Sequence, residues 1–109
     1  MKAKVKGPYI PPERGATERR TIMDLLRDEP MTAKDISSEA GIAEKRVLDA
    51  LEHIRRSAPS QGLRLVVEPA RCRSCGFAFA KRDRLGKPGH CPMCKKTFIE
   101  EPRFRLEET

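Results

Sequence analysis

No apolar run in this chain approaches the ~18 residues of a membrane-crossing helix. The start, Met1-Lys2-Ala3-Lys4-Val5-Lys6, is basic but has no apolar stretch behind it to make a secretory signal. A cytoplasmic protein without a membrane partner is therefore expected. Large rings are scarce: there is no tryptophan, one tyrosine and four phenylalanines among 109 residues. A chain of this length can form one modest core or two small ones, and few rings are available to fill them. No nucleophile–base pair and no phosphate-binding glycine loop is evident, so catalysis is not expected.

Cysteine occurs at only four positions, in two pairs: Cys72-Arg73-Ser74-Cys75 and Cys91-Pro92-Met93-Cys94. Two CxxC turns at this separation carry the spacing of a four-thiolate metal site. Each turn brings its two sulfurs to one centre about 2.3 Å away, and two turns complete a tetrahedron with no open position. Disulfides are the alternative, but a reducing cytosol favours thiolates, and a bridge within CxxC is a redox motif more than a structural staple. One structural zinc ion is expected at Cys72, Cys75, Cys91 and Cys94. Iron stays open, because a tetrathiolate set does not itself separate the two metals. Such a site would compensate for a thin core, since structural zinc contributes on the order of 10–16 kcal/mol in small fingers.

The formal net charge of +7 is unevenly placed. Residues 1–16 carry four bases and one acid, residues 17–62 eight bases and nine acids, and residues 63–109 eleven bases and six acids. The basicity lies in the flanks, which suggests a polyanionic partner for them. Around the cysteines stand Arg71, Arg73, Lys81, Arg82, Arg84, Lys87, Lys95 and Lys96. These cations have two readings, offsetting the charge of the thiolates or contacting phosphates. His90 is read as adjoining the site or solvated, and His53 as an ordinary helix-surface residue.

Residues 1–16 read as an extended basic arm, because Gly7-Pro8-Tyr9-Ile10-Pro11-Pro12 disfavours helix. Thr17 is the expected cap of a first helix with Ile22, Leu25 and Leu26 inward and Met23 at the margin. Thr32 caps a second helix with Asp35 three residues on, and Gly41 ends it. A third helix runs from about Ala43 to Arg56, with Val47, Ala50, Leu51, Ile54 and Ala58 inward. Its outward positions are Glu44, Lys45, Leu48, Asp49 and Glu52, with Arg46 toward a flank. After Ser57–Gly62 the period changes: 63–68 reads as a strand pairing antiparallel with 103–107. Residues 70–101 then form an insertion at the far end of that pair.

Thr32 to Leu51 resembles a helix-turn-helix, with Gly41 at the turn, Ile42 plugging it, and Ser37 where an alanine is usual. The Cys-x-x-Cys-Gly and Cys-Pro-x-Cys turns are similar to those of rubredoxin, which implies a rubredoxin-like zinc ribbon, although Lys95 stands where a second glycine would be usual. Three stretches carry a wider resemblance: Val66-Val67-Glu68-Pro69-Ala70-Arg71-Cys72 running into Cys75-Gly76-Phe77, then Cys91-Pro92-Met93-Cys94, and finally Ile99-Glu100-Glu101-Pro102-Arg103-Phe104-Arg105-Leu106-Glu107. Together they resemble a family of small archaeal predicted transcriptional regulators, in which a winged helix-turn-helix is joined to a rubredoxin-like zinc ribbon.

That resemblance implies an α+β fold, a three-helix winged helix-turn-helix over 17–69 plus 102–109 with a zinc ribbon, 70–101, inserted in its wing. It implies a DNA-binding transcription regulator, with double-stranded DNA as partner and a homodimer as a common state. Candidate nucleic-acid contacts are Lys45, Arg46, Arg55 and Arg56 on the third helix, and Lys81, Arg82, Arg84 and Lys87 in the ribbon. Two other functions stay open. The acidic residues of the third helix favour an adaptor docking on a protein of the transcription or RNA machinery, and the rubredoxin-like turns favour an iron electron carrier.

Overall fold

The computed structural model describes residues 12–80 and 85–109. The first helix, α1 (Pro12–Asp28), begins at Pro12 and not at Thr17. Proline suits a first helical position, where its missing N–H has no partner to lose and its φ is already helical. Thr17 lies inside the helix, and its carbonyl accepts a 3.0 Å hydrogen bond from the Thr21 hydroxyl. The arm expected over 1–16 is thus helical from residue 12 onward, and 1–11 lie outside the described residues.

The second helix, α2 (Ala33–Ala40), starts as its sequence directs. The Thr32 hydroxyl accepts from the Asp35 N–H at 3.0 Å, and the Asp35 carboxylate accepts from the Thr32 N–H at 3.3 Å. At its end Gly41 takes a left-handed φ of 69°, a conformation in which a Cβ would cost about 1–2 kcal/mol. Ser37, the departure from the usual alanine, donates its hydroxyl to the Ile42 carbonyl at 2.6 Å and so ties the turn. Ile42 is buried behind it. The third helix, α3 (Glu44–Ser57), follows α2 after three residues and ends in a short 3-10 turn, Ala58–Gln61.

A two-residue strand that the sequence did not signal, β1 (Met31–Thr32), precedes α2. It pairs with β5 (Arg103–Glu108), which also pairs with β2 (Leu63–Glu68), so the sheet order is β1-β5-β2 and all pairing is antiparallel. Along β5 the alternation of exposed Arg103 and Arg105 with buried Phe104 and Leu106 turns one face to the helices. Ile22 and Leu26 of α1, Ile36 of α2, and Val47, Leu51 and Ile54 of α3 meet Phe104 there in one core.

The ribbon continues the β2–β5 ladder without a register change. Leu63 opposes Glu108 and Glu68 opposes Arg103; beyond them β3 (Arg71–Cys72) opposes β4 (Ile99–Glu100), Arg71 facing Glu100 and Cys72 facing Ile99. Counting inward, Pro69 falls opposite Pro102. Neither has an N–H for the ladder, so paired prolines divide one long hairpin into two sheets. The loop after the first cysteine pair returns Leu85 to the helical core, where it is 4% exposed.

Phe104 is fully buried where all three helices meet the sheet, so Phe104→Ala should cost about 3–5 kcal/mol in urea unfolding. Thr32→Ala, which removes one half of the capping box, should cost about 1 kcal/mol in the same assay.

Candidate metal centre

The four sulfurs of Cys72, Cys75, Cys91 and Cys94 lie within 4.8 Å of one another. Between the two turns, Cys72 to Cys94 and Cys75 to Cys91 are each 3.6 Å. A sulfur–sulfur bond is about 2.05 Å long, so these are not disulfides. A tetrahedron with sulfurs about 2.3 Å from its centre has edges of about 3.8 Å. The cage therefore fits a tetrathiolate metal, and four sulfurs fill its coordination. His90 is exposed and takes no part in the cluster.

The two turns close with the same hydrogen-bond pattern. In the first, Gly76 N–H donates to the Cys72 carbonyl at 2.9 Å, and Cys72 N–H to the Phe77 carbonyl at 2.8 Å. In the second, Lys95 N–H donates to the Cys91 carbonyl at 2.8 Å, and Cys91 N–H to the Lys96 carbonyl at 2.9 Å. Gly76 and Lys95 occupy equivalent places, and both have positive φ, 83° and 66°. Lysine thus stands in a left-handed conformation that the sequence reserves for glycine in the first turn.

Backbone amides aim at the sulfurs. Met93 N–H lies 3.4 Å from Cys91 Sγ. The Cys75 amide is the largest influence on Cys72; with help from the Ser74 amide and the neighbouring thiols it outweighs burial and lowers that thiol to about 7. At Cys75 the Phe77 amide favours the thiolate, but desolvation and the adjacent sulfurs of Cys91, Cys72 and Cys94 prevail and push the thiol up to about 12. One sulfur ionises readily and suppresses its neighbour, and a divalent cation removes that conflict by letting all four ionise together.

The apolar support is small. Among the described residues, Ala70 and Ile99 alone are buried beside Cys72 and Cys91 in this cluster, with Phe77 and Phe79 partly buried around them in an edge-to-face pair 5.0 Å apart. Phe98 and Met93 point outward, 62% and 69% exposed. The residues holding the sulfurs together are largely the sulfur ligands themselves.

The candidate nucleic-acid residues are scattered by the fold. Lys45 and Arg56 are exposed on α3. Arg46 is committed elsewhere: its Nη2 lies 2.6 Å from both carboxylate oxygens of Glu18 on α1, in a partly buried pair. A residue expected to face a groove instead joins two helices. Arg55 pairs with Glu52 at 2.8 Å and lines a cleft with Pro69, Phe79 and Leu85. Leu48, expected outward, is half-buried against the core, with the backbone of Gly86 close over it. The cause is the ribbon loop, which covers that flank of α3. Lys87 is exposed beside the same loop, and Lys81, Arg82 and Arg84 lie outside the described residues. Pattern reading missed the Arg46–Glu18 pair, because it spans 28 residues of sequence and leaves no periodic trace.

Two family profiles cover adjacent parts of the chain: "PF0610-like, N-terminal" matches residues 17–66, and "PF0610 rubredoxin-like zinc beta-ribbon domain" matches 69–109. The solution structure of protein PF0610 from Pyrococcus furiosus is 32% identical, superposes with a TM-score of 0.72, and spans 97% of this chain and 100% of its own. The chain belongs to the PF0610-like family. Comparison with curated proteins gave no match. In this PF0610-like chain the junction between the two profiles falls at the end of β2, beside the opposed prolines. The expected zinc ribbon is therefore present, with its four cysteines placed for metal binding. No described helix is long and apolar enough to cross a membrane.

Because Lys95 is left-handed, Lys95→Gly should stabilise the zinc-loaded protein by about 1 kcal/mol, and Gly76→Ala should destabilise it by a similar amount, read from thermal melts. Zinc must displace the proton that Cys75 holds up to about 12 and compete with protons at Cys72 below about 7. Its apparent affinity should therefore fall as pH is lowered through 7, with protons released on binding, measurable by calorimetry in buffers of different ionisation enthalpy.

Proposed function

We propose that this chain is a zinc-containing winged-helix protein that binds double-stranded DNA and serves in transcription regulation. The element order carries the reading: helix, strand, helix, helix, strand, strand, with β1-β5-β2 as the sheet. In such an arrangement α3 is the groove-reading helix and the β2–β5 hairpin is its wing. Here the wing is prolonged by the ribbon in unbroken register.

The physics moves the electrostatic weight off α3. Its outermost stripe is Lys45, Asp49, Glu52 and Arg56, of balanced charge. One flank is taken by Arg46 and α1, the other by the ribbon loop at Leu48. The ribbon instead presents Arg73, Lys87, Lys95 and Lys96, all exposed and with no carboxylate partner among the described residues. Phosphate contacts would come mainly from there, with Lys45 and Arg56 giving what base or backbone contact α3 makes. The metal, zinc in this reading, has a closed coordination shell and a structural role, and the chain acts by binding and not by catalysis.

A second reading rests on Met93 and Phe98, large apolar side chains left 69% and 62% exposed on the cysteine turns. Such a pair suits a docking surface for a protein of the transcription machinery.

Duplex DNA binding measured across salt concentrations tests the first reading. The logarithm of affinity should fall with that of salt, by ~0.9 in slope per phosphate contacted. Lys95→Ala with Lys96→Ala should weaken binding to all sequences and flatten that slope, Lys45→Ala should change sequence preference, and Arg46→Ala should lower stability. No binding at low salt would overturn it.

A further inference from the structure

A groove of about 520 Å³ runs between α1 and the end of α3, on the flank of α3 opposite the ribbon loop. Its floor is apolar: buried Ile54 and Leu63, with half-buried Met23. Its rim is cationic. Arg19, Arg20 and Arg27 all line it from α1, with His53 facing them from α3. None of the three arginines has an ion pair among the described residues, although Asp24 lines the same groove. By contrast, Arg46 and Arg55 of α3 each pair with a glutamate.

We propose that this groove binds a phosphorylated small molecule of about nucleotide size, and that it is a ligand site separate from any nucleic-acid surface. Three guanidinium groups offer paired N–H donors matched to phosphate oxygens, and their mutual repulsion is relieved by an anion. The apolar floor accepts a ring or carbon skeleton that inorganic phosphate lacks. Asp24 gives the site an acceptor for a ligand hydroxyl or amino group and disfavours a bare polyanion. The volume lies within the ~300–1,000 Å³ of ordinary small-molecule sites. A duplex backbone suits the groove less well, since Asp24 lines it among the arginines and its floor is apolar. The inference stands without the DNA-binding reading, because the groove uses none of the residues on which that reading depends.

The test is a two-dimensional amide NMR titration of the full-length zinc-loaded chain with adenosine diphosphate, and in parallel with pyrophosphate, adenosine and a short duplex DNA. The diphosphate nucleotide should give saturable shifts confined to α1 and to the α3 end around His53, binding about ten-fold or more tightly than pyrophosphate or adenosine. Arg20→Gln with Arg27→Gln should weaken this about ten-fold or more at an unchanged melting temperature, since both side chains are exposed. Lys95→Gln with Lys96→Gln should leave it intact. The proposal is overturned by an absence of saturable shifts at these residues, by shifts that survive in the double arginine variant, or by a groove that responds to duplex and not to the nucleotide.

Discussion

The four thiolates do for the C-terminal part of this chain what a hydrophobic core does elsewhere. Among the described residues only Ala70 and Ile99 are buried apolar side chains in the cluster with Cys72 and Cys91, too little area to order some thirty residues against their conformational entropy. Metal–sulfur bonds of the kind that fold small zinc fingers supply the difference. The amides of Ser74, Cys75, Phe77 and Met93 add hydrogen bonds to sulfur, and the twin closed turns keep those amides in place. Lys95 departs from this economy, since it holds a strained backbone where glycine would be free.

The register links this metal clamp to the rest of the fold. Cys72 lies on the same ladder as Val67 and Phe104, separated from them only by the facing prolines. Fixing the sulfurs therefore fixes the far end of the hairpin whose near end packs beneath the helices. Leu85 makes a second connection, inserting from the ribbon loop into the helical core. These two attachments set how much of α3 stays open, leaving a narrow, charge-balanced stripe outward. A protein built this way has most of its unpaired positive charge, among the described residues, on the ribbon and on α1, and little on α3.

Much of this was legible in the sequence because it was local. The Thr32–Asp35 capping box, the Gly41 turn and the α3 stripe of Val47, Leu51 and Ile54 follow from short-range spacing, while the pairing of 63–68 with the final strand and the cysteine cage follow from two local patterns each, alternation and CxxC. Three features did not. A proline-rich stretch reads as extended, which puts the expected start of α1 at Thr17, whereas the helix already includes Pro12. Strand β1 spans only two residues and exists through its partner β5. The helical wheel puts Leu48 outward and Arg46 on a flank open to a nucleic acid, and it cannot register Glu18 or Gly86 arriving from distant parts of the chain. Long-range partners, not propensities, decide such positions.

The central claim is that the metal is the core of the ribbon and not an ornament on a ribbon that would stand without it. Amide hydrogen exchange of the full chain, followed before and after a chelator removes the metal, tests this most directly. On this account the protected N–H groups of Cys72, Gly76, Cys91 and Lys95, which close the two turns, lose their protection when the metal leaves. Those of α3 around Leu51 and Ile54 keep theirs, since their core is independent of sulfur. Unchanged protection at the four turn amides in the metal-free chain would contradict it.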